Sequence, residues 1–182
     1  IVTANISLLN NSELLSGKVV LITGGTSGFG FAIAKRFLAS GAKVIITGRN
    51  REKLEKAIKD LVSANAKGLV WDLCDFGIAK SKYAEASALF GTIDIAVNNA
   101  GVWTPKKWEN IEESDWDNIL DTNLKGLFFI CQAESEAMSI DANRMNKIIN
   151  ITSIEGVRGG YGPYYASKWG ANGITRGMAK VL

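Results

Sequence analysis

Short apolar runs alternate with amphipathic stretches along most of this chain. Val19 to Ile22 is a run without polar interruption that ends in a glycine cluster, and it predicts a strand buried on both faces. Ile33, Ala34, Phe37 and Leu38 then recur at three- and four-residue spacing and predict a helix, with Gly41 as its stop. The cycle repeats. Val44 to Thr47 reads as a second strand, followed from about Arg51 by a helix carrying Leu54, Ala57, Ile58 and Leu61 on one face. Gly68 to Trp71 is the third strand, an alanine-rich helix runs from about Phe76 to Phe90, and Ile93 to Val97 is the fourth strand. A longer helix starts near Ser114, a residue suited to cap it, and is expected to bury Trp116, Ile119, Leu120, Leu124, Leu127 and Phe128. Ile148 to Ile151 makes the fifth strand. The last helix runs from about Tyr164 to the end with Trp169, Ile174, Met178 and Val181 inward.

Strands that alternate with helices, each strand an apolar run, predict an α/β fold with a doubly wound parallel sheet. Residues 1–16 show neither period over a useful length and read as an N-terminal extension, which leaves 17–182 as one domain. At 182 residues and 47% hydrophobic content the chain can bury one substantial core but is short for two. Its first residue is Ile1 rather than Met, which reads as processing or as a segment of something longer.

Charge and composition mainly exclude. A net charge of +3, with no basic run interleaved with aromatics, gives no reason to expect a nucleic-acid partner. No apolar run reaches the roughly 18 to 20 residues of a membrane span, so no membrane association is expected. Histidine is absent, and Cys74 and Cys131 lie far apart, which removes a zinc site and a Ser-His-Asp triad and leaves no metal site expected. Two thiols in an apolar-rich α/β chain read as buried and reduced, which favours a cytoplasmic location.

The chemistry begins at Thr23-Gly24-Gly25-Thr26-Ser27-Gly28-Phe29-Gly30, between the first strand and the first helix. Such a turn needs glycine where φ is positive, where backbone approaches a pyrophosphate and where helix packs on strand, and Gly24, Gly28 and Gly30 are placed for those jobs. The helix amino end offers free N–H groups and the positive end of its dipole to phosphates. This context is that of a Rossmann-type nucleotide site. The Lys and Ser/Thr of a P-loop are missing, so a nucleotide triphosphatase is not expected. At the end of the second strand an acidic residue would hold a ribose 2′-hydroxyl and a basic one a 2′-phosphate. Gly48, Arg49 and Asn50 stand there, with no carboxylate before Glu52. Arg49 therefore favours NADP(H), with NAD(H) possible, against the plain alternative of a solvated arginine at a helix start.

Tyr164 and Lys168 stand four residues apart, on one helical face. A phenol has a reference pKa near 10 and handles protons at neutral pH only beside a positive charge. An ammonium about 4 Å away at an effective dielectric near 20 supplies roughly 4 kcal/mol, or about three pKa units. Alone, such a pair is commonly surface packing. Its company raises it: Ser153 follows the fifth strand and Asn98 the fourth, at the carboxyl edge where open α/β sheets bind ligands.

From about Gly17 to Leu182 these residues resemble the classical short-chain dehydrogenase/reductase family. The glycine motif looks like Thr23 to Gly30, the adenine-contacting Asp like Asp72, followed by Leu73, and the Asn-Asn-Ala-Gly stretch like Asn98, Asn99, Ala100 and Gly101. The helix asparagine is matched by Asn123, the serine by Ser153, and Tyr-xxx-Lys by Tyr164 and Lys168. The resemblance implies a catalytic tetrad. Tyr164 would be the general acid in reduction, Ser153 would hold the substrate oxygen, Lys168 the nicotinamide ribose, and Asn123 a relay water. It also implies cofactor contacts from Thr23, Gly24, Thr26, Ser27, Gly28, Phe29 and Gly30, from Arg49, Asp72 and Leu73, from Asn99 to Gly101, and from Tyr164 and Lys168.

The expected reaction is hydride transfer between NADP(H) and a small-molecule carbonyl or secondary alcohol. Alternatives are a non-catalytic NAD(P)-binding regulator, or an epimerase or dehydratase of the same superfamily. Val102, Trp103, Thr104, Ile154, Glu155 and Tyr161 read as pocket side chains, with Tyr161 and Tyr165 as its wall. Relative to the family the chain lacks the C-terminal strands. Family enzymes are usually tetramers or dimers through the helices beginning near Ser114 and Tyr164, so a homo-oligomer is expected, with Trp116, Phe128 and Trp169 as interface or core.

Overall fold

The computed structural model describes residues 13–139 and 145–182. Most of the expected N-terminal extension therefore lies outside the described residues; its last four residues turn into the first strand, with the Leu15 N–H donating to the Ser40 carbonyl at 2.8 Å.

Among the described residues five strands and six α-helices follow: β1 (Val19–Ile22), α1 (Gly28–Ala39), β2 (Lys43–Gly48), α2 (Arg51–Leu61), β3 (Ala66–Val70), α3 (Ala79–Phe90), β4 (Ile95–Asn98), α4 (Glu113–Leu120), α5 (Leu127–Met138), β5 (Lys147–Asn150) and α6 (Pro163–Val181). The strands form one parallel sheet in the order β3-β2-β1-β4-β5. This is the doubly wound arrangement that the alternation predicts. The sheet has two cores because strand side chains alternate. Val19 and Leu21 of β1 join Ile45, Ala96, Tyr83, Ile130 and Ala171 on one face. Val20 and Ile22 join Val44, Ile46, Val97, Ala34 and Leu54 on the other. All four β1 side chains are 5% exposed or less, so at about 25 cal/mol per Å² β1 anchors both cores.

Three expectations about the helices are corrected. The helix expected from Ser114 starts at Glu113, and Ser114 lies inside it. The Asp115 carboxylate accepts from the Glu112 N–H at 3.0 Å, closing the amino end in place of a serine cap. It is also not one regular helix, because 121–126 is π-helical and separates α4 from α5. Ile119 and Leu127 are buried, whereas Trp116, before the wide turn, and Phe128, after it, are each 47% exposed. In α6 the inward face carries Pro163, Ser167, Lys168 and Ala171, while Trp169 and Val181 are exposed.

Both cysteines are free thiols; Cys131 is buried and Cys74 half-buried. Among the described residues no helix is long and apolar enough to cross a membrane.

Candidate active site

Strands β1 and β4 are neighbours whose onward connections run to opposite sides of the sheet, which opens a crevice at their carboxyl ends. The glycine turn after β1 forms one lip. Gly24 has φ +64°, and a Cβ there would lie 2.8 Å from the Ala100 Cα, so this position needs glycine twice over. A Cβ on Gly30 would run into the Gly24 carbonyl oxygen, so the first turn of α1 packs directly on the loop. Ser27 makes no side-chain cap on α1, and the first turn carries no acidic residue. Its N–H groups are thus available to an anion.

The stretch after β4 forms the other lip and is bonded to the first. The Thr23 hydroxyl accepts from the Asn99 and Ala100 N–H groups, each at 3.1 Å, and Asn99 Nδ2 donates to the Thr23 and Gly24 carbonyls at 3.0 and 3.1 Å. Thr23 is 1% exposed, so it supports the wall from behind.

Between the lips lies a cleft of about 470 Å³. Of the expected contacts, Gly24, Thr26, Ser27, Phe29, Arg49, Asp72, Leu73 and Asn99 to Gly101 line it. Sequence reasoning missed Thr47, Asn50, Lys53, Trp71 and Thr122. Lys53 was findable in principle. Asn50 caps α2 by accepting from the Lys53 N–H at 2.8 Å, so the first turn of that helix borders the strand end, and Lys53 joins Arg49 on the cleft.

Lys168, Tyr164 and Asn123 gather beside the Gly101 end. Lys168 is 5% exposed, donates to the Ile151 carbonyl at 3.0 Å, and has its Nζ 5.6 Å from the Tyr164 ring centroid. A Cβ on Gly101 would stand 3.7 Å from that Nζ. Burial pushes the Lys168 ammonium below its usual pKa. Asn123, in the π-helical segment, accepts from the Val102 N–H and donates to the Val102 carbonyl, both at 2.8 Å. It also donates to Ser167 Oγ at 3.2 Å, and Ser167 donates to the Tyr164 carbonyl at 2.7 Å. Both Asn123 side-chain donors are therefore spent clamping the Val102 loop to α6, through a serine that sequence reasoning did not single out.

Ser153 Oγ accepts from the Glu155 N–H at 3.2 Å, which leaves its hydroxyl hydrogen to donate elsewhere. It opens a short turn, Ile154–Gly156, that is tied to α6 by Asn172 Nδ2 donating to the Gly156 carbonyl at 3.0 Å. A second cavity, of about 490 Å³, is lined by Trp103, Thr104, Glu155, Tyr161, Tyr164 and Tyr165. The Glu155 carboxylate pushes the Tyr165 phenol upward, and both residues stand in the wall of this cavity. Of the other expected pocket residues, Val102 lines the first cleft and Ile154 is 54% exposed. Asn98 does not join this group: its Nδ2 turns inward, donating to Glu134 and Asn150.

Residues 18–182 match the family model described as short chain dehydrogenase. The chain belongs to the short-chain dehydrogenase family. It is 36% identical over 167 residues to a 3beta-hydroxysteroid dehydrogenase of Mediterraneibacter gnavus, covering 89% of this chain and 59% of that protein. It is 37% identical over 168 residues to the Escherichia coli 3-oxoacyl-acyl-carrier-protein reductase FabG, covering 91% and 68%. The gluconate 5-dehydrogenase of Gluconobacter oxydans is 36% identical over 169 residues, with 91% and 65% covered. The chain thus spans between 59% and 68% of these short-chain dehydrogenases' own lengths. Among solved structures, an actinorhodin polyketide ketoreductase with NADPH superimposes with a TM-score of 0.81 at 31% identity, over 88% of this chain and 63% of that one. A metagenomic short-chain oxidoreductase in complex with NADP superimposes with a TM-score of 0.82 at 34% identity, over 92% and 77%.

Proposed function

We propose that this chain is the nucleotide-binding and proton-transfer part of an oxidoreductase that moves hydride between NADP(H) and a carbonyl or secondary alcohol. The observation that carries the reading is the position of Lys168: one buried ammonium lies between the Gly101 wall of the cleft and the ring of Tyr164.

The residues fit a dinucleotide. Gly24 and Gly30 keep the loop free of the Cβ atoms that would fill it, and the free amino end of α1 suits a pyrophosphate. Asp72 lines the cleft where an adenine would lie, and Arg49 and Lys53 offer two cations to a 2′-phosphate. The two structural neighbours that hold NADPH or NADP support the phosphorylated form. When bound, the nicotinamide supplies the hydride. Tyr164 then donates a proton to the carbonyl oxygen. Ser153 donates its hydroxyl hydrogen to the same oxygen and fixes its place. Lys168 holds the positive charge that stabilises the tyrosinate left behind, and Asn123 keeps the Val102 loop and α6 in register.

The 3beta-hydroxysteroid, 3-oxoacyl and gluconate names of the relatives cover three substrate chemistries, so the reading commits to the carbonyl/alcohol interconversion and not to one substrate. The relatives carry dehydrogenase and reductase names, which favours this reading over a non-catalytic nucleotide-binding regulator, an epimerase or a dehydratase. The exposed Trp116, Phe128 and Trp169 on α4, α5 and α6 support a homo-oligomer, a dimer or tetramer, and the two free thiols support a reducing, cytoplasmic setting.

The test is NADPH consumption against a panel of ketones, with Tyr164→Phe as control. The variant is expected to lose about 100-fold or more in rate while still binding nucleotide. Full activity in Tyr164→Phe would refute the assignment.

A further inference from the structure

Helix α5 buries one acidic side chain completely: Glu134 is 0% exposed. It faces the sheet, where Asn98 Nδ2 donates to its Oε2 at 2.8 Å and to Asn150 Oδ1 at 3.0 Å. The other oxygen, Glu134 Oε1, has no hydrogen-bond partner, and neither does Asn98 Oδ1; both are shut off from solvent. Among the described residues Glu134 takes part in no ion pair. Two orphaned acceptors on side chains that already share one hydrogen bond pose a single problem. One proton solves it. Placed on Oε1, it turns that oxygen into a donor for Asn98 Oδ1, while the existing N–H bond to Oε2 stays. A carboxylate would leave Glu134 Oε1 and Asn98 Oδ1 both unsatisfied in a dry core, which proteins avoid.

We propose that Glu134 is a neutral carboxylic acid that closes a two-hydrogen-bond acid–amide pair with Asn98, and that it is a positioning residue for the end of β4. Its place gives it leverage. The next residue, Asn99, pins the glycine turn, and the Asn98 carbonyl accepts from the Ile151 N–H at 2.9 Å, whose own carbonyl anchors Lys168. The acid–amide pair stands apart from the functional reading; only the nucleotide arm of the test rests on it.

Among the described residues, the charged and titratable surroundings offer Glu134 no cation. On α5 the Cys131 thiol is pushed up to about 12, by burial first and Glu134 second. From α3 the Tyr83 phenol is pushed up by burial, then by Glu134 and Asp94. Asp94, just before β4, is paired with Lys18 at 3.2 Å. From β4 and β5 come the neutral Asn98 and Asn150, and from α6 the Thr175 hydroxyl, which accepts from Asn150 Nδ2 at 2.9 Å. Burial pushes the Glu134 carboxyl from its ordinary 4.5 up to about 8. The folded state thus keeps a proton that the unfolded state loses, and its stabilising effect is complete below the unfolded pKa and lost as pH rises towards the folded one.

Glu134→Gln tests this, since glutamine accepts from Asn98 Nδ2, donates to Asn98 Oδ1 and cannot ionise. Unfolding of wild type and E134Q is followed from pH 5 to 10. Relative to E134Q, the wild-type unfolding constant is expected to rise by up to about tenfold per pH unit between roughly pH 5 and 8, then level off. Infrared difference spectra should show a protonated-carboxyl band at pH 6 that is absent from E134Q and gone by pH 10. Glu134→Leu, which keeps the volume but neither hydrogen bond, should weaken NADPH binding tenfold or more while E134Q retains it. Absence of the infrared band at pH 6, a pH-independent difference between wild type and E134Q, or an E134Q that does not fold would overturn the acid–amide pair. E134L that binds NADPH like wild type would overturn the positioning role. Failure of wild type itself to bind nucleotide would count against the functional reading, with the infrared band still deciding the pair.

Discussion

Thr23→Val removes one oxygen from the centre of the site and changes little else. The Thr23 side chain is 1% exposed, and its hydroxyl accepts from two backbone N–H groups, those of Asn99 and Ala100, each at 3.1 Å. Valine keeps the branched shape, so packing is preserved. The Ala100 N–H loses its partner, while the Asn99 N–H keeps the Val97 carbonyl at 3.1 Å. A buried donor left unsatisfied costs about 1 to 3 kcal/mol. Ala100 is half-buried, and water reaching the cleft offsets part of this, which places the expected loss near 1 to 2 kcal/mol. Urea unfolding reads it directly: with a slope of about 2 kcal/mol per molar, the midpoint should fall by roughly 0.5 to 1 M. Thr23→Ser keeps the acceptor and loses only a methyl group, so it should cost about 1 kcal/mol or less. Thr23→Val and Thr23→Ser falling together within about 0.5 kcal/mol of wild type would show that the hydroxyl does not hold the two lips of the cleft.

Gly24→Ala should destabilise by more than the 1 to 2 kcal/mol that a side chain at φ +64° costs, because its Cβ would also press on Ala100 at 2.8 Å; calorimetry and NADPH titration should fall together. Val62→Gly should stabilise by about 1 kcal/mol, since this exposed β-branched residue ends α2 at φ +47°, and a urea midpoint at or below wild type would contradict that. Lys168→Met should change the pH profile of stability. Burial lowers the Lys168 pKa, so the unfolded chain binds the extra proton and wild type gains stability relative to the variant as pH rises towards 10.5. Parallel unfolding profiles from pH 8 to 10.5 would refute this.

The strands were legible because each contains a short apolar run, and the observed bounds fall within two residues of those expected; the inner strands β1, β2 and β4 are largely buried, whereas the edge strands β3 and β5 keep exposed positions. The long helical region was misread for a definite reason. Apolar spacing treats 114–128 as one stripe, but the π-helical turn at 121–126 changes its phase, so Phe128 faces outward while Asn123 faces in; Trp116, before the turn, is exposed as well. In α6 the same rule fails for the opposite cause: the inward face is the site, and it carries Ser167 and Lys168 where a core helix would carry leucine. Candidate site residues with a distinctive spacing, such as Gly24, Tyr164 and Lys168, could be picked from sequence. Thr23 was picked as a contact but stands behind the wall, and Ser167, Lys53 and Glu134 act through neighbours distant in sequence, which no local pattern reports. Asn98 was placed at the sheet edge correctly, yet its side chain serves the core.

The central claim is that this cleft binds a phosphorylated nicotinamide dinucleotide beside Lys168 and Tyr164. Titration of the chain with NADPH and with NADH, followed by nicotinamide fluorescence, tests it most directly. NADPH is expected to bind more tightly than NADH, with a loss of about tenfold or more in the Arg49→Ala/Lys53→Ala double variant and NADH binding unchanged, since each charge-assisted hydrogen bond is worth about 1.5 to 3 kcal/mol. Binding of neither nucleotide would contradict it.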